Sequence, residues 1–226
     1  AHAWRVPLRS LDHRALLPLL SADERARAER FMRDRDAEAF IVAHGTLRRV
    51  LARYLDAAPD TLAFITGPHG KPALASREGR ALEFNLSHSG DLALIAVARA
   101  GPVGIDVECR NRDVEHLRLA EHFFSPAERT ALRALARELD SLTEGFFNAW
   151  TRKEAYLKAT GYGITRGLHH FDVSIAPGEP AALLGDRLDP SATDRWRLSE
   201  LRPGAGFQAA LVVPRVVDEI TLYDAD

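Results

Sequence analysis

Two strings of the form S-x-x-E constrain this chain more than anything else in it. Ser21-Ala22-Asp23-Glu24 and Ser125-Pro126-Ala127-Glu128 each put a serine at N-cap and a glutamate at N3, the reciprocal pattern that starts a helix. The second adds a proline at the first helical position, where its missing N–H is not needed. The first box predicts a helix to about residue 32. Longer helical patterns follow both boxes. One covers 37–54, with Phe40, Ala43, Leu47, Val50, Leu51 and Tyr54 at helical spacing; the other covers 143–159 and is stopped by Gly161 and Gly163. Strand patterns come next: 82–86, 92–98 and 103–107 in the first half, then 171–175, 196–201 and 207–213 in the second. Gly67-Pro68-His69-Gly70 reads as a turn ahead of the first set. Laying Ser21 over Ser125 brings helix, longer helix and strands into the same order twice. The expected fold is α+β, built as two similar α/β lobes over 1–104 and 105–226.

Composition narrows the class. The chain has 226 residues, 46% hydrophobic and 27% charged, enough for lobes with real cores. A net charge of -2 argues against a nucleic-acid binder, so any anionic ligand must be held by a local group of Lys and Arg. Cys109 is the only cysteine, which rules out an intramolecular disulfide and suits a reducing cytoplasm. No apolar run approaches the ~20 residues of a membrane span. Ala1-His2-Ala3-Trp4-Arg5 lacks the apolar stretch of a signal peptide, and no element is assigned to it.

Several groups of residues could carry chemistry. In Gly104-Ile105-Asp106-Val107-Glu108 a strand points both carboxylates to one face and Ile105 and Val107 to the other. Two adjacent anions repel unless a cation sits between them or each has its own partner, and oxygen-only ligands suit Mg2+; a solvated strand end is the alternative. Glu154 and Lys158 have the order and spacing of a helical ion pair, worth only ~0.2–0.5 kcal/mol. Their apolar surroundings also allow a metal and phosphate role. Asn85-Leu86-Ser87-His88-Ser89-Gly90 is either a phosphate cradle or a polar turn, and Lys71 either a phosphate contact or an exposed cation. Arg25, Arg27, Arg30 and Arg33 alternate with acids, as on a solvated face. Arg129, Arg133 and Arg137 line one helix face and could meet an acidic partner. There is no G-x-S-x-G, Walker A, G-x-G-x-x-G or H-E-x-x-H string, which favours direct transfer between bound substrates over a covalent nucleophile.

Gly70-Lys71-Pro72, Asn85-Leu86-Ser87-His88-Ser89, Gly104-Ile105-Asp106-Val107-Glu108, Phe123-Phe124-Ser125-Pro126-Ala127-Glu128 and Trp150-Thr151-Arg152-Lys153-Glu154-Ala155 with Lys158 follow one another in that order. This series resembles the 4'-phosphopantetheinyl transferase superfamily, in its two-lobed, Sfp-type branch, over about residues 21–213. The resemblance implies two pseudo-twofold-related lobes with the active-site cleft between them. It implies transfer of phosphopantetheine from coenzyme A to a serine of an apo acyl or peptidyl carrier protein of fatty-acid, polyketide or nonribosomal peptide synthesis, with release of 3',5'-ADP. By the same resemblance Asp106, Glu108 and Glu154 match Mg2+ ligands, and Lys158 matches a lysine beside the diphosphate. Lys71, Ser87 and His88 match contacts to the nucleotide phosphates, with His88 on the 3'-phosphate and Arg25 and Arg27 as the basic residues near it. Glu128 matches an acidic position near the site. The serine proton has two candidate acceptors, Glu154 or a water on the metal. A cytoplasmic monomer is expected, with neither a nucleic-acid nor a membrane partner. The set Asp106, Glu108, Glu154 and Lys158 weighs against a non-catalytic coenzyme A or carrier-binding module. The two-lobed length weighs against the short trimeric branch.

Overall fold

The computed structural model describes residues 1–67, 70–75, 82–110, 115–163 and 166–225, so Pro68 and His69 of the expected turn lie outside the described residues. In chain order the elements are β1 (His2–Pro7), α1 (His13–Leu16), α2 (Ala22–Ala28), α3 (Asp34–Leu55), β2 (Phe64–Thr66), β3 (Pro72–Leu74), β4 (Glu83–Ser89), β5 (Leu92–Ala98) and β6 (Gly104–Cys109). They continue with α4 (His116–Phe123), α5 (Pro126–Leu135), α6 (Leu139–Thr160), β7 (Phe171–Val173), β8 (Leu183–Asp186), α7 (Ala192–Arg195), β9 (Trp196–Leu201), β10 (Phe207–Pro214) and β11 (Thr221–Asp224).

Both capping boxes form, each with the serine side chain bonded to the N3 backbone and the glutamate bonded back to the N-cap N–H. The long helices α3 and α6 are both 22 residues long, and α6 ends where Gly161 takes the left-handed conformation that a Cβ would disfavour (φ 73°). The helices also share an internal feature. Arg48 and Lys153 both lie fourteen residues beyond the first residue of their helix, and each is buried against the glutamate of its own capping box. Burial works against the charge on Glu24. Hydrogen bonds from His44, the Ser21 N–H and Arg48 outweigh it and hold the carboxyl down at about 2.

Two sheets follow the strand orders β11-β1-β5-β4 and β6-β10-β9. Every residue of β5 is buried, because successive side chains enter different cores. Ala93, Ile95 and Val97 pack toward α3, while Leu92, Leu94, Ala96 and Ala98 join Ile105, Val107, Ala209, Leu211 and Val213 of the second sheet. In β10 the alternation is mirrored: Ala210 and Val212 pack with residues of α6. The layers are therefore α3, first sheet, second sheet and α6, with three cores between them. Each buried Leu, Ile or Val contributes roughly 1.5–3 kcal/mol.

Five strands were not expected: the short β2, β3 and β8, and two that change the sheet, β1 and β11. The first residues, assigned no element, form β1, whose neighbours are β5 and β11. Thr221–Asp224 runs parallel to β1, so a division at residue 104 puts β11 in the second half although its hydrogen bonds belong to the first sheet. Neither pairing has a local turn to announce it.

At Gly104 the backbone of α6 approaches the second sheet too closely for a side chain. A Cβ there would lie 2.0 Å from the Ala155 carbonyl oxygen and 2.3 Å from the Ala159 nitrogen, both backbone atoms that cannot swing away. Gly104→Ala is expected to destabilise by at least about 1–3 kcal/mol as an overpacked contact. The measurement is the thermal unfolding midpoint, with an expected fall of several degrees. An unchanged midpoint would contradict the contact.

Candidate active site

The sheets also meet edge to edge, where β4 and β6 run side by side. With a two-residue period, Asn85, Ser87 and Ser89 all project from β4 onto β6. Asn85 Oδ1 accepts the Ile105 N–H at 2.8 Å, and Ser87 Oγ donates to Asp106 Oδ1 at 2.8 Å. Ser89 Oγ donates to Glu108 Oε2 at 2.7 Å and accepts the Cys109 N–H at 3.0 Å. These side chains satisfy groups on an edge strand that has no ladder partner on this side. They also set the direction of both carboxylates of the G-I-D-V-E string.

Above the seam lies α6. Lys158 Nζ donates to Asp106 Oδ1 at 2.6 Å and to Ser87 Oγ at 3.0 Å, so the helix pair expected of Glu154 and Lys158 gives way to a bond between α6 and β6. Asp106 is 4% exposed. Its burial pushes the carboxyl pKa up despite the opposing charge of Lys158, the hydrogen bonds from Lys158 and Ser87, and a further upward push from Glu108. Glu154 is raised too, first by loss of water, then by the negative charge of Asp106, with Glu108 adding to it and Lys158 opposing. The charge of Glu108 therefore disfavours the ionisation of Asp106 and of Glu154, and that of Asp106 disfavours the ionisation of Glu154, with the Lys158 ammonium opposing.

A cleft of about 450 Å³ opens beside this group, lined by Lys71, Asn85, Glu154, Lys158 and the Gly161-Tyr162-Gly163 turn among others. Lys71 donates to the Val103 carbonyl at 2.9 Å and has Glu83 at 3.8 Å; burial lowers its ammonium pKa, with Glu83 opposing. His88 is an exposed residue, yet crowding removes enough water from its ring to lower the pKa. The positive charges of His44, Lys158 and Arg27 act in the same direction, and Glu108 opposes them. The structure thus brings Lys71, Ser87, Asp106, Glu108, Glu154 and Lys158 together, with His88 and Arg27 at the flank.

Two expected site residues go elsewhere. Arg25 turns back to donate to the carbonyls of Leu20 and Pro18 at 3.0 and 2.9 Å, which ties down the entry to α2. Glu128 is 3% exposed and bonded to Ser125, Val173 and Lys153, away from the cleft lining. The arginine stripe on α5 is partly neutralised within the chain, since Arg129 and Arg133 both pair with Glu121. Asn85 and Ser89, read in the sequence as part of a phosphate cradle or a polar turn, lie on β4 and bond across to β6, a placement signalled by their alternation with Ser87. His44 had no assigned role, and its place on an apolar helix face gave no sign of one.

The donor set can be tested against Mg2+. Among the described residues Asp106 Oδ2 is buried without a hydrogen-bond partner, an open acceptor in the field of Glu108. Among the described residues no three His, Cys, Asp or Glu side chains form a ready-made cage. Mg2+ asks for less, because one or two carboxylates with water and phosphate oxygens complete its shell. The residues fit the ion.

Fold and site together define an α+β protein with oxygen donors and lysines converging on one cleft, suited to an anionic phosphate ligand. Residues 102–212 match the profile of the 4'-phosphopantetheinyl transferase superfamily, and residues 3–100 that of the N-terminal part of 4'-phosphopantetheinyl transferase. The chain is 39% identical over 215 residues to the 4'-phosphopantetheinyl transferase HetI of Nostoc sp., covering 94% of this chain and 86% of that one. It is 27% identical over 217 residues to the 4'-phosphopantetheinyl transferase Sfp of Bacillus subtilis, covering 96% and 92%. The structure of Helicobacter pylori holo-[acyl-carrier-protein] synthase in complex with coenzyme A is 23% identical and covers 50% of this chain and 98% of its own, with a TM-score of 0.38. The chain belongs to the 4'-phosphopantetheinyl transferase superfamily.

Lys158→Met tests the electrostatics directly. Loss of the ammonium removes a charge that lowers both carboxyl groups, so Asp106 and Glu154 should titrate at higher pH than in the parent. Leaving Asp106 buried with one partner fewer should cost about 1–3 kcal/mol. Carboxyl carbon shifts followed by NMR against pH, with a denaturant midpoint, check both; unshifted titrations would contradict the pairing.

Proposed function

We propose that this chain transfers the 4'-phosphopantetheine group of coenzyme A to a serine hydroxyl of an apo carrier protein, releasing 3',5'-ADP. The observation that carries the reading is the bond of 2.6 Å from Lys158 to Asp106, made where Glu154 and Lys71 line the same cleft. The serine oxygen attacks the β-phosphorus of coenzyme A, and the bond from that phosphorus to the ADP oxygen breaks. Such a reaction depends on positioning and on neutralising phosphate charge. Lys158 lies where it can do the second. Its ammonium is held by Asp106 and Ser87, so it meets the diphosphate without having to be ordered first. Glu154 is the proton acceptor for the serine: it faces the cleft, and its raised pKa makes it a stronger base while ionised. Lys71 and His88, with Arg27 beside it, are assigned to the nucleotide phosphates. Asp106, Glu108 and Glu154 would hold Mg2+, which when bound supplies further positive charge against the diphosphate.

Finer assignments follow from the same reading. The chain divides into lobes over 1–104 and 105–226 with the cleft between them, β11 crossing back to the first sheet. A monomer suffices because one chain supplies both sides of the seam. The single cysteine suits the cytoplasm, the net charge of -2 suits a protein that does not bind nucleic acid, and no described helix is long and apolar enough to cross a membrane.

The test is incubation with coenzyme A, Mg2+ and a panel of apo acyl and peptidyl carriers, read by mass spectrometry of the carrier. The carriers should gain the mass of phosphopantetheine, and the relative rates show which class is preferred. Asp106→Ala should cut transfer by on the order of 10²-fold or more while keeping the helical circular-dichroism signal. No mass gain on any carrier would sink the reading, and full activity of the Asp106 variant would refute the site.

A further inference from the structure

The helix α6 carries its site residues on one side and a buried charge on another. Lys153, next to Glu154, has 0% exposure and donates to the carbonyls of Leu168 and Phe171 and to Glu128 Oε2, the last at 2.8 Å. Its ammonium also lies 4.4 Å from the centre of the Phe171 ring and 5.8 Å from that of Phe124. Glu128 in turn accepts the N–H groups of Ser125 at 3.0 Å and Val173 at 2.9 Å. One ion pair thus ties the start of α5, the middle of α6 and β7. A buried ammonium that loses its carboxylate is strongly disfavoured, so rotation of α6 about its axis is resisted. Neighbouring helical residues point about 100° apart, so holding Lys153 inward sets the direction of Glu154 and, about one turn further on, of Lys158.

We propose that the Glu128–Lys153 pair is a clamp that fixes the rotation of α6 and so positions Glu154 and Lys158 against Asp106. Both are positioning residues, and the proposal rests on the transferase reading above. An independent observation comes from the first half. Glu24 and Arg48 form the same pair at the same point of α3, with Arg48 donating to the carbonyls of Pro59 and Leu62 at 3.1 and 2.9 Å. There α3 carries Arg49 and Arg53 where α6 carries Glu154 and Lys158. The clamp recurs where the acid and the lysine do not, so it is a device for orienting a helix and not part of the chemistry.

The experiment compares the parent with K153M/E128Q, Lys153→Arg and a destabilising control in the first core, Val50→Ala. Turnover is measured well below every midpoint, and the Lys158–Asp106 distance is read from a crystal structure of each variant. In K153M/E128Q kcat should fall on the order of 10²-fold, because a displacement of about 1 Å is enough. KM for coenzyme A should stay within about threefold, and Lys158 should leave hydrogen-bond reach of Asp106. Lys153→Arg, which copies Arg48, should recover at least about a tenth of the parent kcat. Val50→Ala should lose stability and keep kcat. If the double variant does not fold, Glu128→Gln alone carries the same comparison. A folded variant with Lys158 still on Asp106 and an unchanged kcat overturns the clamp, as does a loss that merely tracks stability in the way the control's does. Should the parent itself transfer nothing, the transferase reading fails, and the Lys158–Asp106 distance alone decides the clamp.

Discussion

Between the backbone of Gly104 and the backbone of α6 there is no room for a side chain. That contact brings the first residue of β6 beneath Ala155 and Ala159, and the rest of the site follows from it. Two residues along the strand, Asp106 comes within reach of Lys158; two further, Glu108 meets Ser89. The other face of β6 sends Ile105 and Val107 into the core between the sheets, so the strand cannot slip by one residue without burying its carboxylates in hydrocarbon. Register, helix distance and carboxylate direction are in this sense one constraint.

The same constraint makes the site locally unfavourable. Asp106 and Glu154 are both shifted toward their neutral forms by burial and by the charge of Glu108, with Asp106 adding to the shift of Glu154, and among the described residues one oxygen of Asp106 has no partner. Buried acceptors of this kind are destabilising unless something supplies positive charge. Ser87, Ser89 and Lys158 offset part of the cost. What remains is a demand for a cation and for donors, located in the cleft that Lys71 and Lys158 line. The strain is tolerable because three apolar cores surround the seam, and α6 and β10 are fixed by packing that does not involve the acids.

Much of this was legible in the sequence wherever the cause was local. Capping boxes, helical spacing and the helix stop at Gly161 depend on a few neighbouring residues, and they appear in the structure within a few positions of where the pattern puts them. The period of two in Asp106-Val107-Glu108 likewise revealed which residues share a face. Other features depend on parts of the chain that no local window joins. The partners of β1 begin some ninety residues away, and β11 is reached only at the end of the chain. Arg25 looked like its neighbour Arg27, and only the path of the preceding loop shows that its guanidinium is occupied by carbonyls. Glu128 met two descriptions at once, helix cap and acidic site residue. The structure shows the cap, in a box buried beside Lys153.

That outcome for Glu128 explains why a repeated architecture can carry a single reactive group. Each half needs a long helix held at a fixed rotation over its sheet, and each meets the need with a capping-box glutamate and a cation fourteen residues beyond the helix start. Once that framework holds the helix, the positions one and five residues further on can vary independently of it. In α3 they are Arg49 and Arg53, and in α6 they are Glu154 and Lys158 above the carboxylates of β6. The glutamate and cation of each pair are buried against one another and tolerate no charge imbalance. The variable positions are partly buried at Arg49, Glu154 and Lys158 and exposed at Arg53, so they can carry one, and this is why acid and ammonium are concentrated on one helix of the two.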